Sequence, residues 1–269
     1  MFTVWFSFTG SKLQTTPYAD CTKTYYQYLN RFSANLAMLS DIAMLTLGGD
    51  LKRKERISAR LGDVLSYLYL ASATLKRFND EGRKQADIPL MQWAVEDCLY
   101  KTQQAIDELI NNFPNKIISK VLRLTIFPLG CHLSRPSDMT DHQVARILQT
   151  PSSARNRLVK GQYITREQEN SIGMQEQTLD DILACEPIYD KICQALGKKL
   201  PFYYLDKIAE QGLAAEIISQ DEANLLIKAE KGRKLSIDVD DFSPEDLPSA
   251  KFSTEKNSLK NNNNQIHAA

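Results

Sequence analysis

The sequence predicts an all-α fold: an antiparallel bundle of long helices, then a region of shorter helices and a disordered tail. Apolar residues recur at three-and-four spacing through residues 22–47, 50–78 and 89–113, glycine or proline bounds each run, and the links between runs are short. None of the three can bury its stripe alone, and short links make sequential helices antiparallel neighbours.

The opening stretch "MFTVWFSFTG" is apolar but has no basic n-region, no small-residue cleavage motif and not the ~20 residues of a membrane span, and no other run is long enough either. Residues of this kind suit the inside of a larger protein, so 1–20 is expected to be a truncated or linker start. The first helix, Thr22 to Leu47, carries Tyr25, Leu29, Phe32, Leu36, Leu39 and Ala43 on one face and stops at Gly48-Gly49. Asp50 is the expected N-cap of the second, whose stripe runs through Ile57, Leu61, Val64, Leu65, Leu68, Ala71, Leu75 and Phe78. Pro89 opens the third, with Trp93, Leu99, Ile106, Leu109, Ile110 and Phe113 inward and Pro114 as the stop.

"NKIISKVLRLTIFPLG" then gives a short, very apolar helix with Lys116, Lys120 and Arg123 along one side. Such a helix can lie in a membrane interface, or serve as a fourth core helix with lysines snorkelling to water. Residues 21–130 are thus expected to form the bundle, and 131–247 a short-helix accessory region. In the latter, Asp138 or Thr140 caps a helix through Val144 and Leu148, Pro151 opens one containing Arg155 and Arg157, and Pro187 starts one that Gly197 ends. A helix through Leu205, Ile208 and Leu213 follows, then one from Ser219 with Asp221 and Glu222 in its first turn. From residue 248 onward, "STEKNSLKNNNNQIHAA" and its asparagine run predict disorder.

Lys plus Arg equals Asp plus Glu at 33 each, so no global field draws in nucleic acid. Any anion site must be local. Arg53, Arg56 and Arg60 repeat at helical spacing away from the apolar stripe, which suits a solvated or interdomain docking face more than a ligand site. Gly48-Gly49 lacks the preceding strand and lysine spacing of a phosphate loop, and Gly197-Lys198 has Ile192 and Lys199 where that loop needs glycine and a hydroxyl. Cys21, Cys98, Cys131, Cys185 and Cys193 are an odd set without a secretion signal, which points to reduced thiols in the cytoplasm.

No G-x-S-x-G, C-x-x-C or H-E-x-x-H occurs. Cys131, His132, Asp138, Asp141 and His142 cluster without a recognised ligand spacing, and "DVDDFSPEDL" lacks the glycine of a calcium loop, so no metal is expected.

Four stretches in order, "YYQYLNRFSANLAMLSDIAMLTLGGDLKRKERISARLGDVLSYLYLASATLKRF", "NNFPNKIISKVLRLTIFPLG", "VARILQTPSSARNRLVKGQYIT" and "KAEKGRKLSIDVDDFSPEDL", closely resemble the C-terminal region of the bacterial FadE-type acyl-coenzyme A dehydrogenase. The similarity runs from about Phe6 to Leu247. It implies an FAD enzyme that oxidises fatty acyl-CoA to the trans-2-enoyl thioester in β-oxidation, with a glutamate as base. In the family that glutamate lies upstream, in a Glu-Gly segment of the dehydrogenase core. Here Glu-Gly occurs at Glu81-Gly82, in the polar end of the second helix, and no catalytic residue is carried over. The resemblance therefore implies the helical domain without its catalytic core, FAD being held by the whole enzyme and not by this chain alone. The expected partners are a dehydrogenase core, in the same or a separate polypeptide and docked at Arg53, Arg56 and Arg60, and a further copy in a homo-oligomer. The alternative is an autonomous module that holds the inner face of the cell membrane through Lys116, Lys120 and Arg123.

Overall fold

The structure, a computed structural model, describes residues 15–163, 165, 170–237 and 239. The expectations for the opening ten residues and the tail lie outside these, as does the acidic 238–247 run apart from Val239. The described residues form helices and no strand, and the chain divides into two compact units between Lys160 and Gly161. Residues 131–160, expected in the accessory region, thus pack with the bundle.

The first unit holds α1 (Lys23–Leu47), α2 (Glu55–Asp80), α3 (Ile88–Asn111), α4 (Lys116–Ile126), α5 (Asp138–Gln149) and α6 (Ser153–Leu158). Cross-helix pairs fix the directions. Arg60 meets Glu108 at 3.4 Å while Lys101 sits 5.8 Å over the Tyr67 ring, so α2 and α3 run antiparallel. Tyr18, before α1, donates to Asn79 near the end of α2 at 2.5 Å, and Tyr25 donates to Glu96 at 2.8 Å, which sets α1 antiparallel to α2 and parallel to α3. In α4 the Ser119 hydroxyl donates to the Ile110 carbonyl at 2.7 Å and Arg123 to Asp107 at 2.7 Å, so α4 folds back along α3. Phe32, Leu39, Val64, Leu75, Ile106 and Leu122 are among the side chains these helices close over.

Several local expectations change. Asp50 does not cap α2: Gly48, at φ 51°, ends α1 and residues Gly48–Lys52 form a 3-10 turn in which the Asp50 carbonyl accepts from the Arg53 and Lys54 amides. α2 then starts at Glu55 without a side-chain cap. Leu65 is exposed, because one residue on from buried Val64 turns it ~100° round the helix. Trp93 sits at the rim, its indole N–H donating to Asp141 at 2.5 Å. Ser137 caps α5 by accepting from the Thr140 amide, and Ser152 caps α6 by accepting from the Arg155 amide at 3.1 Å, in place of Asp138, Thr140 and Pro151.

One helix, with the turn after it, Lys23–Lys52, is long and apolar enough to cross a membrane by length and composition, contrary to expectation. In this fold it is the first bundle helix, with Gln27 and Asn35 buried beside Phe32 and Leu39.

The second unit holds α7 (Ser171–Leu196), α8 (Leu205–Ala214) and α9 (Gln220–Ile237). Pro187 does not start a helix but lies inside α7. A proline there removes a backbone bond and costs ~3 kcal/mol. Cys185, Tyr189 and Ile192, buried on either side of it, hold the helix continuous. Gly197, at φ 65°, ends α7 as the spacing predicts. Ser219 and Glu222 form a reciprocal cap at the start of α9: the Glu222 amide donates to the Ser219 hydroxyl at 3.2 Å, and the Ser219 amide to the Glu222 carboxylate at 2.8 Å. Gly232 lets α9 approach α7, since a Cβ there would meet the Thr178 hydroxyl at 2.5 Å.

Candidate functional site

Two of the residue sets singled out in the sequence come to the surface of the first unit. Arg53, Lys54 and Arg56, around the start of α2, and Arg60, one turn in, line an open hollow of ≈ 490 Å³ whose far wall is Asn112 and Pro114 after α3. Helical spacing brings Arg56 and Arg60 to one side, and the turn after Gly48 brings Arg53 and Lys54 round to meet them. Glu55 is the one acid in the lining. Arg60 is mostly buried, with 20 % of its side chain exposed, and its Nε donates to Glu108 at 3.4 Å.

The second set divides. Arg123, with 40 % of its side chain exposed, leans toward α3 and donates to Asp107 at 2.7 Å and to the Asn111 side chain at 2.8 Å. It is therefore a bundle contact, not a companion of the exposed lysines. Lys116 and Lys120 stay outside, flanking an exposed apolar row of Ile117 (75 %), Val121 (59 %) and Leu124 (67 %). Leu122 and Ile126 face the core. The apolar arc of α4 is wider than the bundle can cover.

Sequence reasoning missed a polar cluster beneath the 131–137 segment. The Tyr25 hydroxyl and the Gln92 amide donate to the same Glu96 oxygen, at 2.8 and 3.0 Å, in a hollow of ≈ 570 Å³ that His132 and Arg135 also line. Burial, then Glu96, pushes the Tyr25 phenol well above its usual range, so it stays a donor. A smaller apolar cavity of ≈ 170 Å³ lies between α2, α3 and α6, walled by Phe78, Leu90, Met91, Ala94, Ala154 and Leu158. Asp87 also lines it and is held from outside by Arg157 in a two-point ion pair, the Arg157 Nε donating at 3.0 Å. Glu96, a polar residue at stripe spacing in α3, and Asp87, in the turn just before that helix, were the available signal.

Of Cys131, His132, Asp138, Asp141 and His142, three are engaged elsewhere: the Cys131 thiol contacts Asp107, the His132 backbone amide donates to Gln103 and Asp141 accepts from Trp93. Among the described residues no three His, Cys, Asp or Glu side chains could share a metal ion. Glu81 of the Glu-Gly pair ends α2 and accepts from Arg77 at 2.9 Å.

A family model described as acyl-CoA dehydrogenase, C-terminal, bacterial type, matches residues 1–242. The chain belongs to that family. No solved structure matches it. Acyl-CoA dehydrogenases generally use FAD, and the described residues of this chain form helices without a strand, with side-chain ties between helices and two hydrophobic cores.

Proposed function

We propose that this chain is the C-terminal helical part of an FAD-dependent enzyme that oxidises fatty acyl-CoA to trans-2-enoyl-CoA in β-oxidation. The catalytic base and the flavin belong to a dehydrogenase core, on the same polypeptide or a separate one. The single observation that carries this is the family match over residues 1–242. One feature supports the division of labour: Glu81, the one glutamate in a Glu-Gly pair, is engaged by Arg77 at a helix end. The chain alone is expected to turn over no acyl-CoA. Tagged in its own host and purified gently, it should emerge with a larger polypeptide and a flavin spectrum. A colourless lone chain would sink the proposal.

A second reading rests on α4. We propose that the chain lies in the cytoplasm and meets the inner face of the membrane peripherally, through Ile117, Val121 and Leu124 with Lys116 and Lys120 toward anionic headgroups. Sedimentation with anionic liposomes should carry the chain down, and Lys116→Glu with Lys120→Glu should release it. Recovery in the supernatant at every lipid concentration would dispose of the reading.

A further inference from the structure

The cationic hollow at the start of α2 contains more positive charge than its surroundings answer. Arg53, Lys54, Arg56 and Arg60 line it against Glu55 alone, and Arg53, Lys54 and Arg56 form no ion pair among the described residues. Cations spread over a convex helix face simply meet water. Gathered in a concavity they repel one another at short range, in surroundings less polar than bulk solvent.

Arg60 sharpens the argument. Its side chain is largely buried, yet its one bond is the long 3.4 Å contact through Nε, and its two Nη groups donate to nothing among the described residues. A guanidinium is a planar fork suited to paired oxygens of a carboxylate or phosphate. Here the fork is positioned and half-used. The positive end of the α2 dipole adds to the same field, because no side chain caps it. At ≈ 490 Å³ the hollow lies in the ~300–1,000 Å³ range of small-molecule sites.

We infer that this hollow binds a soluble anion carrying two or more linked phosphate groups, gripped by Arg53, Lys54, Arg56 and Arg60. Two guanidinia at the mouth, Arg53 and Arg56, take the outer phosphate, and Arg60 takes the inner one. A single monoanion would leave most of the charge unanswered. The site is independent of the flavoenzyme reading, since it needs no residue outside the first unit.

The test is calorimetric titration of the full chain with inorganic pyrophosphate at physiological ionic strength, with chloride as the control. Pyrophosphate should bind one to one. Arg53→Gln with Arg56→Gln should weaken it by roughly tenfold or more, because charge-assisted bonds are lost. Both side chains are exposed, so circular dichroism and melting should not change. Lys76→Gln, an exposed lysine of α2 outside the hollow, should bind as the parent does. No heat above the chloride control would overturn the inference, as would equal affinity in the double variant. So would capture of phosphatidate vesicles through the same arginines without binding of free pyrophosphate, which would make the phosphate source a lipid headgroup.

Discussion

Gln103, buried in α3, clamps Leu133: its side-chain oxygen accepts from the Leu133 amide at 3.0 Å while its nitrogen donates to the Leu133 carbonyl at 3.1 Å. The same oxygen accepts from the His132 amide at 3.0 Å. One side chain thus answers three backbone groups of a segment that has no helix of its own. Gln103→Ala leaves them unpaired and should lower stability by about 1–3 kcal/mol in urea unfolding. Amide exchange at His132 and Leu133 should speed up in the same variant. An unchanged urea midpoint would show that the clamp adds nothing.

Asn35 makes the opposite case. It is fully buried in α1, and neither its side-chain nitrogen nor its oxygen has a hydrogen-bond partner. Replacing it with leucine, of similar length, removes two unanswered polar atoms from the core. Asn35→Leu should raise stability by about 1–3 kcal/mol, read as a higher urea midpoint at the same slope.

In the second unit Glu230 is almost wholly buried and accepts from Arg233 at two points, 2.9 and 2.7 Å, with Lys234 at 3.5 Å. Arg233, first, holds its carboxyl below the usual range despite burial. Removing one partner of a buried pair typically costs ~3–5 kcal/mol, and the partial exposure of Arg233 places Glu230→Ala at about the lower end. Thermal melting should show the loss, and Glu230→Gln, which keeps an acceptor, should fall between.

Asp20 sets an acid limit. Burial raises its pKa, but the hydroxyl and amide of Thr22 and the guanidinium of Arg83 outweigh it and hold the carboxyl at about 2. A pKa lowered in the folded state means stability that is present above the ordinary ~3.9 and lost as pH falls toward 2. Melting temperature should therefore decline over that window. Asp20→Asn should melt lower at neutral pH and show a shallower acid slope. Asp20 is partly exposed, so the change should be modest.

The helices of the bundle were legible because burial imposes a period. Phe32, Leu39, Val64, Leu75, Ile106 and Leu109 all fall on the stripes read from spacing, and all are buried. Helix ends were less so. Ser137 and Ser152 stand beside Asp138 and Pro151, and which neighbour caps is decided by a single backbone turn. Pro187 misled because the penalty of a proline is local while the packing that absorbs it is tertiary. The site was half legible. Arg53, Arg56 and Arg60 were evident as a row, but their closure with Lys54 round a hollow depends on the turn after Gly48. Arg123 shares a helical face with Lys116 and Lys120 by spacing, and Asp107, 16 residues earlier, takes it away.

The pairing of Arg123 with Asp107 has a colloidal consequence. The flank of α4 loses a free cation while Ile117, Val121 and Leu124 stay in contact with water, on a chain whose formal charge is zero at neutral pH. Molecules without net repulsion meet often, and an uncovered apolar ridge makes some of those meetings last. The isolated chain is accordingly expected to be least soluble close to pH 6.8 and to gain solubility on either side of it.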